Sequence, residues 1–269
     1  MGSKISAALR AALAAVLLIG VSASPSSSDV AQRVVDVPTR PGVIQRFLFE
    51  APPEPKAAVV LFAGGHGGLQ ISSDGRLQWG AGNFLVRSRQ LFVDRELAVA
   101  IVDAPSDRQG IPFLSGFRQT REHATDVKAV IAWLKKEAAV PVWLVGTSRG
   151  TQSAGSLATA LPPADGGPDG IVLTSTILTD PRGRSVPDMP IDRIKVPVLV
   201  VHHKLDGCAL CRYADIDALM GRLTATPRKE LLTFDGGTSK GDPCEAFAHH
   251  GYAGIEGEVV AKIGAWVVK

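Results

Sequence analysis

The sequence predicts an α/β fold, a mostly parallel sheet covered by helices on both faces, from three observations. Apolar runs of strand length recur at Ala57 to Ala63, Leu97 to Val102, Val142 to Val145 and Val196 to His202. Runs this continuous mark strands covered on both sides, as in a parallel sheet. Helix-spaced segments separate them, and that alternation makes a doubly covered sheet the economical arrangement. The third observation is Gly146-Thr147-Ser148-Arg149-Gly150, set between the Val142 run and a small-residue helical stretch. A serine forced onto a tight strand-to-helix bend needs glycines two residues either side, where side chains would strike neighbouring backbone. Ser148 is therefore the candidate nucleophile, and the N–H of Arg149 at the helix start is a candidate donor to a developing oxyanion.

Residues 1–23 carry Lys4 and Arg10 ahead of an apolar run from Ala11 to Val21, and then the small residues of Val21-Ser22-Ala23. The pattern is that of a secretory signal peptide cleaved near Ala23, which predicts a secreted or periplasmic protein with no stable membrane insertion once the signal is removed. Cleavage leaves 27 basic and 26 acidic side chains, a balance that offers nothing to nucleic acid or to an anionic membrane surface. Residues 24–32 read as a Ser/Pro-containing linker, and residues 33–269 as a single domain.

Val34 to Val37 and Val43 to Phe49 read as short edge strands punctuated by Pro38, Pro41 and Pro52. The strand from Ala57 runs into Gly64-Gly65-His66-Gly67-Gly68, whose bare backbone can approach a ligand closely, so the N–H of Gly65 or His66 is the second candidate oxyanion donor. Gly82 to Leu91 has the pattern of one amphipathic helix. Leu97 to Val102 is the next strand, and the polar loop Ser106 to Gln119 carries Phe113 and Phe117 where they could line a substrate pocket. Arg121 to Ala138 is a helix with Val127, Val130, Ile131 and Leu134 on its inner face, and His123 near its start reads as a solvated or capping residue. Further strands are expected over Gly170 to Leu178, Val196 to His202 and Glu230 to Phe234, and helices over Tyr213 to Leu223 and Gly254 to Val267.

A serine nucleophile needs a base, and the base an orienting carboxylate, all at the carboxyl edge of the sheet. Asp206, after a late strand, is the first candidate acid, with Asp180 next and Asp103 behind it. His249 and His250, between the last strand and the final helix, are the candidate bases.

With these residues together, the chain resembles the α/β-hydrolase superfamily, in its dienelactone-hydrolase-like and secreted esterase branches. The resemblance rests on Gly146 to Gly150, Asp206, His250 and the Gly64 to Gly68 loop. It implies a three-layer fold of about eight strands with a minimal cap, since only Arg182 to Lys195 separates two core strands where a cap is often inserted. It also implies a Ser148, Asp206 and His250 triad that cleaves a small ester through an acyl-enzyme, with a small-molecule acyl substrate and no cofactor or metal. In that superfamily a small residue and then an aromatic often follow the base, which matches His250-Gly251-Tyr252 and favours His250 over His249.

In an exported protein a disulfide between the acid loop and the base loop would hold both partners in register with Ser148, and Cys208 to Cys244 is the expected pair, with Cys211 free. Two competing readings remain at this level. His202, His203, Asp206, Cys208, Cys211, Cys244, His249 and His250 could form a zinc site, or the fold could bind a ligand without catalysis.

Overall fold

A computed structural model describes Met1 and residues 32–269. The expected signal segment beyond Met1, and the linker as far as residue 31, lie outside the described residues. Eight strands form one sheet: β1 (Arg33–Pro38), β2 (Ile44–Glu50), β3 (Ala57–Phe62), β4 (Leu97–Val102), β5 (Val142–Thr147), β6 (Gly170–Thr174), β7 (Val198–His203) and β8 (Lys229–Phe234). Their order across the sheet is β1-β2-β4-β3-β5-β6-β7-β8. The pairings β1 with β2 and β2 with β4 are antiparallel, and all others are parallel. The central strands β3, β4 and β5 are buried at every position, which accounts for their unbroken apolar runs.

Because side chains alternate across a strand, each central strand feeds two cores. Val60, Val142, Leu144 and Val200 lie in one, with Val127, Val130, Ile131 and Leu134 of helix α3 (Arg121–Ala138) and with the helices α4 (Gly150–Ala160) and α5 (Ile216–Arg222). Val59, Leu61, Val145 and Val201 lie in the other, with the short helices α1 (Phe84–Arg87) and α2 (Arg89–Val93) and with Val259, Val260, Ile263 and Trp266 of helix α6 (Glu256–Val267). Among the described residues no helix is long and apolar enough to cross a membrane.

Four sequence expectations differ from the structure. The helix over Gly82 to Leu91 is two short helices, because Ser88 leaves helical geometry at φ −93°, ψ 4° between them. The strand from Gly170 stops at Thr174, where Ser175 takes a left-handed φ of +44° and turns the chain away. The segment Arg182 to Lys195 is not simply polar. Val186, Met189, Ile191 and Ile194 are buried in the first core, which keeps the segment close to the sheet's helical layer.

His123 is the fourth correction. Rather than lying in solvent it is 1% exposed, with Nε2 3.0 Å from the hydroxyl of Ser153 and the ring edge-on to Phe62 and Phe117. Burial, reinforced by the positive charges of Arg118 and Arg40, pulls its pKa down to about 3. Between that value and the ordinary ~6.5 of an unfolded histidine, the unfolded chain holds the extra proton, so stability falls as the pH falls through this window. Acidifying from pH 7 to pH 5 is expected to cost on the order of 2 kcal/mol from this residue alone. Denaturant titrations across that range check it: the slope with pH should flatten in His123→Gln, and an unchanged slope contradicts the assignment.

Candidate active site

Strand β5 delivers Ser148 to the carboxyl edge of the sheet on a bend that the flanking glycines make possible. A Cβ at Gly146 would lie 2.4 Å from the carbonyl oxygen of Gly150, and a Cβ at Gly150 would lie 2.1 Å from the carbonyl oxygen of Phe62. Ser148 itself sits at φ +51°, a left-handed conformation that costs a non-glycine residue on the order of 1 kcal/mol and persists only where its surroundings enforce it. They do so here: its N–H donates to Thr174 O at 3.0 Å, and its carbonyl accepts from the N–H and hydroxyl of Thr151 at 2.9 and 2.6 Å. Arg149 is the N-cap of α4.

The loop after β3 runs against this bend. A Cβ at Gly64 would lie 3.0 Å from Ser148 Cβ, so glycine is what lets the two backbones meet. Arg118 fixes the loop from behind, donating through Nη2 to the carbonyls of Ala63 and Gly65 at 3.0 and 3.2 Å. His66 is held between Trp79 and Phe113, at ring separations of 3.9 and 4.5 Å, and its Nδ1 accepts from the N–H of Gly68. Its pKa is lowered by burial and by the charge of Arg118. Asp103, a lesser candidate acid in the sequence, accepts from the N–H groups of Leu69, Gln70 and Ile71 at 2.7, 3.1 and 2.8 Å and so anchors the loop's far end. Among the described residues, the N–H groups of Gly65, His66 and Arg149 donate to no protein acceptor.

Asp206 follows β7 and His250 follows β8, and their side chains meet: Asp206 Oδ2 is 2.9 Å from His250 Nδ1, while Oδ1 accepts from the N–H of Cys208 at 2.9 Å. Both residues are buried. The residues after His250 explain their own identities. A Cβ at Gly251 would lie 1.9 Å from Ala246 O, and the hydroxyl of Tyr252 donates to Val201 O at 2.8 Å, pinning the base loop to β7. His250 Nε2 is buried without a partner among the described residues, and His250 lines the same cavity as Ser148. That cavity holds about 330 Å³, with Gly64, Gly65, Trp79, Asn83 and Phe247 among its walls.

The order of the strands, a serine on a strained bend after β5, and an Asp–His pair carried by the loops after β7 and β8 together decide the architecture. The chain has the α/β-hydrolase fold. Solved structures agree at the level of the fold. An esterase of Pyrococcus furiosus superposes with a TM-score of 0.62 at 14% identity, covering 88% of this chain and 92% of its own. A dienelactone hydrolase of Anabaena variabilis gives 0.59 at 13% identity over 90% and 96%. A cold-adapted esterase from an Arctic intertidal metagenomic library gives 0.58 at 16% identity over 89% and 93%. No protein-family model and no curated protein matches the chain.

Several other sequence candidates take different places within this hydrolase fold. Phe113 and Phe117 do not line the cavity at Ser148; they are buried with Ala104 and Leu114 in a small apolar cluster that braces the glycine loop. Asp180 is held by Arg149 and Gln152, not by a histidine. His249 stacks on His203 at 4.4 Å while His250 takes the carboxylate. Trp79, Asn83 and Phe247 went unnoticed in the sequence because their distance along the chain hides their convergence on Ser148.

Cys208 and Cys244 form a disulfide and Cys211 is a buried free thiol, its pKa raised by burial. Although Cys211 is free and lies with Cys208 and His250 in one cluster, much of the zinc set is engaged in other bonds. Two of its sulfurs are bonded to each other, His202 Nε2 and His203 Nε2 are 2.7 Å from the carbonyls of Cys211 and Gly236, and His250 Nδ1 faces Asp206. The disulfide joins the acid loop to the base loop across 36 residues. Loop-closure entropy for that separation is worth about 4 kcal/mol. A Cys208→Ser, Cys244→Ser protein is expected to unfold at markedly lower urea concentration than the oxidised parent, and matching midpoints would show that the link constrains nothing.

Proposed function

We propose that the protein is an exported serine hydrolase that cleaves small carboxylic esters. The observation that carries this reading is the buried, unpartnered Nε2 of His250, whose other nitrogen is held by Asp206, on a residue that lines the same cavity as Ser148. Asp206 holds the imidazole with Nδ1 protonated, which leaves Nε2 free to take the proton from the Ser148 hydroxyl as it attacks the acyl carbon. The carbonyl oxygen becomes an oxyanion, for which the N–H of Arg149 and that of Gly65 or His66 are the donors without protein acceptors. Nε2–H then protonates the departing alcohol, and water, activated by the same nitrogen, hydrolyses the acyl-enzyme.

The cavity's size and the half-exposed rings of Trp79 and Phe247 at its wall support a compact acyl group over a long chain. The disulfide supports an oxidising destination, in keeping with the expected signal peptide. A series of p-nitrophenyl esters tests the reading: acetate and butyrate should turn over well above the uncatalysed rate, with kcat/KM falling for octanoate and beyond. A correctly folded, oxidised protein with no turnover of any member would overturn it.

A further inference from the structure

Behind the glycine loop lies a second cavity, of about 450 Å³, that this chemistry leaves unused. Four arginines line it: Arg118, Arg149, Arg182 and Arg184. The one carboxylate in its wall, Asp180, is already engaged, bonded to both terminal guanidinium nitrogens of Arg149, to Gln152 Nε2 at 3.0 Å and to the N–H of Arg182 at 3.2 Å.

The other three guanidinium groups have no acidic partner among the described residues. Arg118 is only 4% exposed and donates to neutral acceptors alone: the Ser153 hydroxyl and the carbonyls of Ala63 and Gly65. Its Nε is buried with no partner at all. Burial and the nearby charge of Arg149 pull its pKa down to about 9, the response of a desolvated cation without a counter-ion. Arg184 Nε donates to the neutral Gln119 Oε1 at 2.7 Å, and the Arg182 guanidinium donates to no described residue. A buried charge is costly unless something pairs with it, and the planar fork of a guanidinium fits carboxylate and phosphate oxygens in particular.

We propose that this cavity is a binding site for a small oxyanion, a carboxylate or a phosphate, gripped by Arg182 and Arg184 over the buried charge of Arg118. The site has a direct physical route to Ser148. The guanidinium that would feel the anion is the one that holds the carbonyls of Ala63 and Gly65, and Arg149 joins the two regions from the other side.

The test is calorimetric titration of the full chain with inorganic phosphate and with succinate, ionic strength held constant with chloride. Saturable binding is expected, weakened at least tenfold in Arg182→Ala, Arg184→Ala and retained in Ser148→Ala. Heats no different from those of added chloride, or equal binding by the double variant, would overturn the site. This readout needs no turnover, so it stands or falls separately from the esterase reading. Kinetics then separate the sources. A double variant that loses turnover of a succinate half-ester but not of a neutral ester assigns the anion to the substrate. Phosphate that alters hydrolysis of a neutral ester by the parent enzyme assigns it to a free effector.

Discussion

Replacing Ser148 by Ala is expected to lower kcat/KM for p-nitrophenyl acetate by roughly four to six powers of ten, with the fold intact. Removal of the nucleophile leaves only binding and oxyanion stabilisation, which accelerate attack by water but cannot form the acyl-enzyme. Stability should change little, because the hydroxyl of Ser148 makes no hydrogen bond among the described residues and the bend is held by its backbone bonds to Thr174 and Thr151. Alanine at φ +51° carries the same backbone strain as serine. Steady-state rates together with a thermal melt check the pair of expectations. Turnover within tenfold of the parent would remove Ser148 from the mechanism, whereas lost turnover with a collapsed melting point would mean that the substitution broke the fold.

The second large effect is expected from Asp206→Asn, a loss of about three to four powers of ten in kcat with KM little altered. The isosteric amide can keep the bond from the N–H of Cys208, through its oxygen, so the acid loop stays in place. Its NH2 group then faces His250 Nδ1, where Asp206 Oδ2 now sits at 2.9 Å. A donor there favours the tautomer with the proton on Nε2, which cannot accept one from serine. Residual activity arises from the minority tautomer. Near-parental kcat in this variant would mean that the buried Asp–His pair serves structure alone.

Much of this arrangement was legible in the sequence, and the reasons are local. The Val142 run, the two glycines around Ser148 and the small residues of α4 state a strand, a bend and a helix over residues 142–160, and the packing agrees at each. Helix α3 begins and ends where its apolar spacing says, closed at its start by the Thr120 side chain accepting from the N–H of His123. The Asp206 and His250 loops could be read because strand ends at one edge of a parallel sheet converge. What escaped notice depends on contacts between distant segments. Nothing near Arg118 announces that it reaches back to Ala63 and Gly65, and a histidine near a helix start looks the same in sequence whether it faces water or, like His123, Ser153. Phe113 and Phe117 sit in a loop after a strand end, as pocket residues often do, yet both are buried inward, and Phe113 can turn in because Gly68 leaves room for its ring: a Cβ there would lie 2.0 Å from it.

Covalent labelling is the sharpest test of Ser148 as an activated nucleophile. The mature, oxidised protein would be treated with a fluorophosphonate probe, its intact mass recorded and its peptides mapped, with the Ser148→Ala protein as control. One adduct per chain on Ser148, absent from the control, is the predicted result. A folded protein that takes up no probe, or takes it up elsewhere, would remove Ser148 as the nucleophile.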